Sequence, residues 1–283
     1  MIKANPTIFK LYLAIMDSFS EYLSHKYSDK SLDNPNHYKT IIIQKIIRMF
    51  HTLVKLTQET QDEVSARCVL RGILDSVTVY CFIYEREDKY DMMFRHYLYS
   101  LDGFITYKKG IIDKIMEEGE NKFKFEYTCN EVIRQIENKL YSHPYQKLNN
   151  KNVKTIINNA NWKYKSLDEP RGTTFNEMYK QVGYDALLTD YYQDILSQYA
   201  HGLCISNTQH NDHERLQIVL YESIPIADRM IQSICNTFFK KELLLHINHS
   251  EIIKRLVKEP ELNIEDLFSF VNALIRKDKI LII

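Results

Sequence analysis

Glycine and proline are the scarcest structural punctuation in this chain: 283 residues carry 7 Gly and 6 Pro. All-β folds place those residues at frequent turns, so their scarcity points to long helices. Cysteine is sparse too. Cys68, Cys81, Cys129, Cys204 and Cys235 are odd in number and never spaced as C-x-x-C, which argues against a disulfide framework and a zinc site and for reduced thiols. No run of 18 apolar residues occurs, and the start of the chain (Lys3, Asn5, Pro6, then Asp17 and Glu21) is unlike a signal peptide. A cytoplasmic protein without membrane association is expected. Net charge is absent as well: Lys+Arg and Asp+Glu are 37 each, which excludes a global positive field of the kind that drives non-specific nucleic-acid binding.

What is present is a helical pattern on a chain long enough to bury roughly three quarters of its extended surface. Ile8 to Leu23 repeats apolar residues at helical spacing, and a polar run from Ser28 to Asn36 with Asn34-Pro35 reads as a loop. Further helices are expected over 38–60, 62–86, 90–116 (with Gly103 and Gly110 as points of bending), 130–141, 174–182, 185–201 and 214–239. Gly202 is a C-terminal stop for the helix that precedes it. The stretch 120–170, with its single Trp162, is the least regular. In the tail, Ser250 and Asn263 are candidate N-caps of two short helices separated by Pro260. The expectation is an all-α, mostly antiparallel helical bundle over 1–248, followed by a C-terminal helical appendage over 249–283.

Two pairs of polar residues sit in otherwise apolar helical stretches. Arg71 and Asp75, with Arg67 one turn earlier, share one face of the third helix, beside a Gly72 that admits a close neighbour. An exposed ion pair of this kind contributes only about 0.3–0.5 kcal/mol, whereas a buried one needs further hydrogen-bond partners and is a better site candidate. The second pair, Ser197 and His201, also has i,i+4 spacing, and Asp194 falls on the same stripe, with Tyr192 nearby. An imidazole beside an arginine can serve as general acid or base on a phosphodiester. A structural histidine bonded to Ser or Asp is the plain alternative.

The ordered set Arg71-x-x-x-Asp75, the isolated Trp162, Tyr191-Tyr192 and Ser197-x-x-x-His201-Gly202 resembles a bacterial family of all-helical proteins. That family in turn is similar to the HEPN superfamily (higher eukaryote and prokaryote nucleotide-binding). The likeness covers roughly residues 40–235. It implies a helical bundle, a homodimer, and a metal-independent ribonuclease of a toxin or antiphage system with RNA as partner and no cofactor. His201, Gly202 and the polar Ser197 match the nuclease motif of that superfamily, but Leu196 stands where its arginine belongs. In the catalytic reading Arg71 supplies the missing cation, with Ser197 and Asp75 orienting the reacting groups and Arg67, Asp194 and Tyr192 lining the site.

The competing reading is a non-catalytic helical interaction or ligand-binding module in which the same residues form a structural hydrogen-bond network. Exposure separates the two: an accessible cleft with basic surroundings favours RNA chemistry, and a sealed cluster favours structure. Two His-x-x-His pairs, His210/His213 and His246/His249, lack a carboxylate or cysteine partner in a recognised metal pattern and read as solvated residues. Lys108-Lys109 and Lys240-Lys241 are isolated basic pairs rather than a stripe.

Overall fold

The computed structural model describes residues 6–148, 151–184, 186–202 and 213–238. The expected appendage, the N-caps at Ser250 and Asn263, Lys240-Lys241, Cys204, His210 and the His246/His249 pair lie outside these residues, as does the side chain of His213. Among the described residues the protein is a helical bundle of nine α-helices with no strand. They are α1 (Pro6–Lys26), α2 (Pro35–Gln58), α3 (Glu63–Tyr84), α4 (Lys89–Tyr107), α5 (Glu120–Ser142), α6 (Lys151–Asn158), α7 (Phe175–Val182), α8 (Ala186–Ala200) and α9 (His213–Phe238). No helix among them is long and apolar enough to cross a membrane.

The chain forms two compact units. The first takes the described residues of Met1–Lys30, Asn36–Cys81 and Tyr179–Ile283; the second takes Ser31–Pro35 and Phe82–Met178. In the first, α1 packs along α9, and Phe9, Met16 and Phe19 of α1 are fully buried with Ile43, Ile46 and Phe50 of α2 and Leu70, Ile73 and Val77 of α3. Those residues recur every three to four positions, so each helix buries one stripe. α2 begins at Pro35, earlier than the loop reading of Asn34-Pro35 placed it, because proline at a first helical position loses no hydrogen bond and is already set to a helical φ. α3 is capped by Asp62, whose Oδ1 accepts from the Ser65 amide at 3.0 Å.

The second unit is built on a hairpin of α4 and α5. The Cys129 thiol donates to the Phe104 carbonyl and Lys108 pairs with Glu126, so sequence numbers rise on one helix as they fall on the other. α4 passes through Gly103 unbroken; its irregularity is a π-turn, Lys108–Ile112, that holds Gly110. α5 begins at Glu120, ten residues before the expected start. Beyond α6 the chain is pinned by a buried ionic knot: the Arg95 guanidinium donates to Asp91 at 3.0 Å and to the carbonyls of Trp162 (3.0 Å) and Tyr164 (2.9 Å). Tyr164 in turn donates to Asp91. The Trp162 indole donates to Asp102 at 3.1 Å and is 7% exposed, so this tryptophan is a packing residue of the second unit.

Candidate functional site

Arg71 and Asp75 do pair: Nε donates to Oδ2 at 3.1 Å. Helical spacing brings them together, and two elements distant in sequence complete the arrangement. Nη1 of Arg71 donates to the Tyr192 carbonyl of α8 at 3.2 Å. Tyr179 of α7 donates its hydroxyl to the other carboxylate oxygen of Asp75, and its ring lies 5.6 Å from the Arg71 guanidinium carbon. Burial, and next the Asp75 carboxylate, push the Tyr179 hydroxyl well above its ordinary pKa, so it stays a hydrogen-bond donor. Gly72 gives room to a side chain rather than a backbone: a Cβ there would stand 2.7 Å from the Met49 methyl.

One turn earlier lies a second, drier network. Arg67 Nε donates to Glu63 at 2.8 Å and Nη1 donates to Glu222 of α9 at 2.9 Å, with side-chain exposures of 7%, 3% and 11% respectively. The guanidinium packs on the Tyr199 ring at 5.0 Å, the Tyr199 hydroxyl donates to Glu63 at 3.3 Å, and the Tyr192 hydroxyl donates to the Glu222 carbonyl at 2.8 Å. Two carboxylates around one guanidinium supply the charge and the acceptors that a buried cation requires. The result joins α3, α8 and α9.

Ser197 and His201 are placed differently. On α8, Thr189, Tyr192, Leu196 and Tyr199 are buried, whereas Asp190, Asp194 and His201 are exposed and Ser197 and Gln198 are half-buried. At 100° per residue the His201 stripe is turned roughly 160° from the Tyr192 stripe, and His201 lies about 13 Å further along the axis. The structure therefore gathers Arg71, Asp75 and Tyr192 on one side of α8, gathers Arg67 beside them, and sets Asp194, Ser197 and His201 on the other. His201 is followed by Gly202 at φ 61°, the left-handed conformation that ends the helix as expected.

No family model, curated protein or solved structure matches the chain. Its own geometry carries the functional reading. Among the described residues no group of three or more His, Cys, Asp or Glu side chains is arranged to hold a metal ion. The residues missing from the sequence reading are Glu63, Tyr179, Tyr199 and Glu222. Glu63 had a signal, four positions before Arg67. The other three join through tertiary contacts that no local spacing encodes.

Proposed function

We propose that this chain is a non-catalytic helical interaction module of the cytoplasm, in which the Arg67 and Arg71 networks hold helices together rather than act on a substrate. The observation that carries this reading is the engagement of both arginines. Arg67 is met by two carboxylates of its own chain, and Arg71 by one carboxylate and a backbone carbonyl of α8. A cation held this way has little left to offer a phosphodiester. On the other side of α8, two exposed carboxylates, Asp190 and Asp194, share the His201 stripe and repel a polyanion.

One observation favours the HEPN-like ribonuclease reading, with its mostly antiparallel bundle and bacterial defence role: His201 is open to solvent, with Ser197 one turn before it. In that mechanism the imidazole meets the phosphodiester from outside, and the stabilising cation comes from a residue other than Arg71. Expression of the wild type, His201→Ala and Arg71→Ala, with growth and total RNA integrity as readouts, separates the two. The module reading expects intact RNA and unaffected growth in all three. RNA cleavage by the wild type that a folded His201→Ala abolishes overturns it.

A further inference from the structure

In the second unit α5 ends on a buried histidine. His143, where the backbone leaves the helix (φ −64°, ψ 143°), is 6% exposed. Its imidazole lies against Phe94 of α4, with ring centroids 4.9 Å apart, and against Tyr145 of the short 3-10 turn Pro144–Leu148, at 4.8 Å. The edge of Tyr90 stands at 6.2 Å. Tyr145 ties the turn to α4 a second time, donating its hydroxyl to Asp88, the N-cap of that helix, at 2.7 Å. Together the rings of His143 and Tyr145 cover one side of Phe94, which is fully buried.

The hydrogen bonds of this ring fit its neutral form. The Tyr145 amide donates to Nδ1 at 3.3 Å, so Nδ1 keeps its lone pair and the hydrogen sits on Nε2. A proton added at Nδ1 would face an N–H instead of accepting from one. Nε2 is buried without a hydrogen-bond partner, so the cation would gain no bond in the closed turn. The charged groups around the ring are already engaged. Asp88 accepts from the Tyr90 amide (2.8 Å) as well as from Tyr145; Asp91 accepts from Arg95 (3.0 Å) and Tyr164, with Arg86 at 3.6 Å. Lys139, one turn before His143 on α5, is paired with Asp33. Burial pulls the imidazole below its ordinary 6.5, against the smaller opposing effects of the Tyr90 backbone and the two carboxylates. In the open turn the ring is in water, so as the pH falls below about 6.5 the open form takes up the proton first. The closed form then loses population by up to about tenfold per pH unit.

We propose that His143 is an acid-operated latch: protonating its imidazole breaks the bond from the Tyr145 amide and releases the turn Pro144–Leu148 from α4, uncovering Phe94 while the helices of the unit stay folded. The latch is independent of the module and ribonuclease readings, because none of its residues belongs to the Arg67 and Arg71 networks or to the His201 stripe. Local opening of this kind is read by amide hydrogen exchange. The amides to follow are Tyr145 and Gln146, which the closed turn holds on the His143 ring and on its carbonyl (2.9 Å). Leu98 of α4 and Ile136 of α5, both fully buried, serve as controls for the helices.

The experiment is NMR on the full chain between about pH 7 and pH 5, with exchange corrected for its intrinsic rate and the His143 ring protons titrated in the same samples. Opening at Tyr145 and Gln146 is expected to rise about fivefold or more across that range while Leu98 and Ile136 hold, and the His143 ring to titrate below 6.5. His143→Phe, which keeps a ring and removes the titration, makes the opening independent of pH. Tyr145→Phe loses the bond to Asp88 and opens the turn about fivefold more at every pH, with the pH dependence kept. Exchange indifferent to pH in the wild type overturns the latch, as does a His143 titration at or above 6.5. A rise shared equally by Leu98 and Ile136 overturns it too, since the unit then unfolds as a whole. So does a pH dependence that survives in His143→Phe.

Discussion

Two arginines four residues apart on α3 differ in what their loss leaves behind. Removing Arg67 strands Glu63 and Glu222, both largely out of water, without their shared cation. Breaking one partner of a buried ion pair costs about 3–5 kcal/mol, because the remaining charge loses its countercharge where little solvent reaches it. Removing Arg71 leaves Asp75, whose side chain is 32% exposed and which keeps the Tyr179 hydroxyl. Water can then solvate the carboxylate, and the loss is on the order of 1–2 kcal/mol. Urea unfolding of Arg67→Ala and Arg71→Ala reads the difference directly. Equal costs, or a larger cost for Arg71, would sink the assignment of Arg67 as the principal clamp. Tyr179→Phe, which removes one donor and no charge, is expected to cost about 1 kcal/mol.

At the scale of elements, periodicity exposed most of the helices because most bury one apolar stripe. Where that condition fails, so did the reading. α5 begins at Glu120, but Phe123, Phe125 and Tyr127 of its first two turns are exposed and follow no helical repeat of buried positions. In the candidate site the ladder Glu63, Arg67, Arg71, Asp75 was visible in spacing, whereas Tyr179 and Glu222 arrive from α7 and α9 through the fold. The expectation that Arg71 and Ser197/His201 face a common site came from treating each pair alone. The buried Tyr192, Leu196 and Tyr199 set the rotation of α8, and with it the outward aim of His201. Helix ends also carry measurable stability. Asp62 caps α3, so Asp62→Ala is expected to cost about 1 kcal/mol and Asp62→Asn only a few tenths in thermal unfolding. An Asn variant as unstable as the Ala variant would show that charge, rather than the cap acceptor, matters at this position.

For the molecule as a whole, the buried ionisable groups set an unusual response to alkaline pH. Lys39 of α2 is 5% exposed; its ammonium donates to Asn36 at 3.1 Å and lies 5.2 Å from the Phe238 ring centroid. Burial pulls its pKa down from 10.5 to about 8. In the unfolded chain the amine keeps its proton up to its ordinary value, so between those limits the unfolded state binds more protons and stability rises with pH. Tyrosines act in the opposite sense at the upper end. Burial pushes the hydroxyls of Tyr12, Tyr179 and Tyr184 well above their ordinary value of about 10 and the Cys235 thiol from 9.0 up to about 12, so above those ordinary values the unfolded chain loses protons first and stability falls. Stability is therefore expected to climb from about pH 8 to about pH 9, and to drop beyond as first the thiols and then the tyrosines ionise in the unfolded chain, later than the pH 5–8 range where maximal stability usually lies. Urea midpoints at about pH 7, 9 and 11 measure this, and Lys39→Met separates the two causes. With methionine the protein gains stability at neutral pH, where a buried ammonium no longer has to be accommodated, and the rise between neutral and mildly alkaline pH disappears while the tyrosine-driven fall remains. A wild-type midpoint that is flat or falling from about pH 7 to 9, or an undiminished rise in Lys39→Met, would overturn the assignment of this response to Lys39.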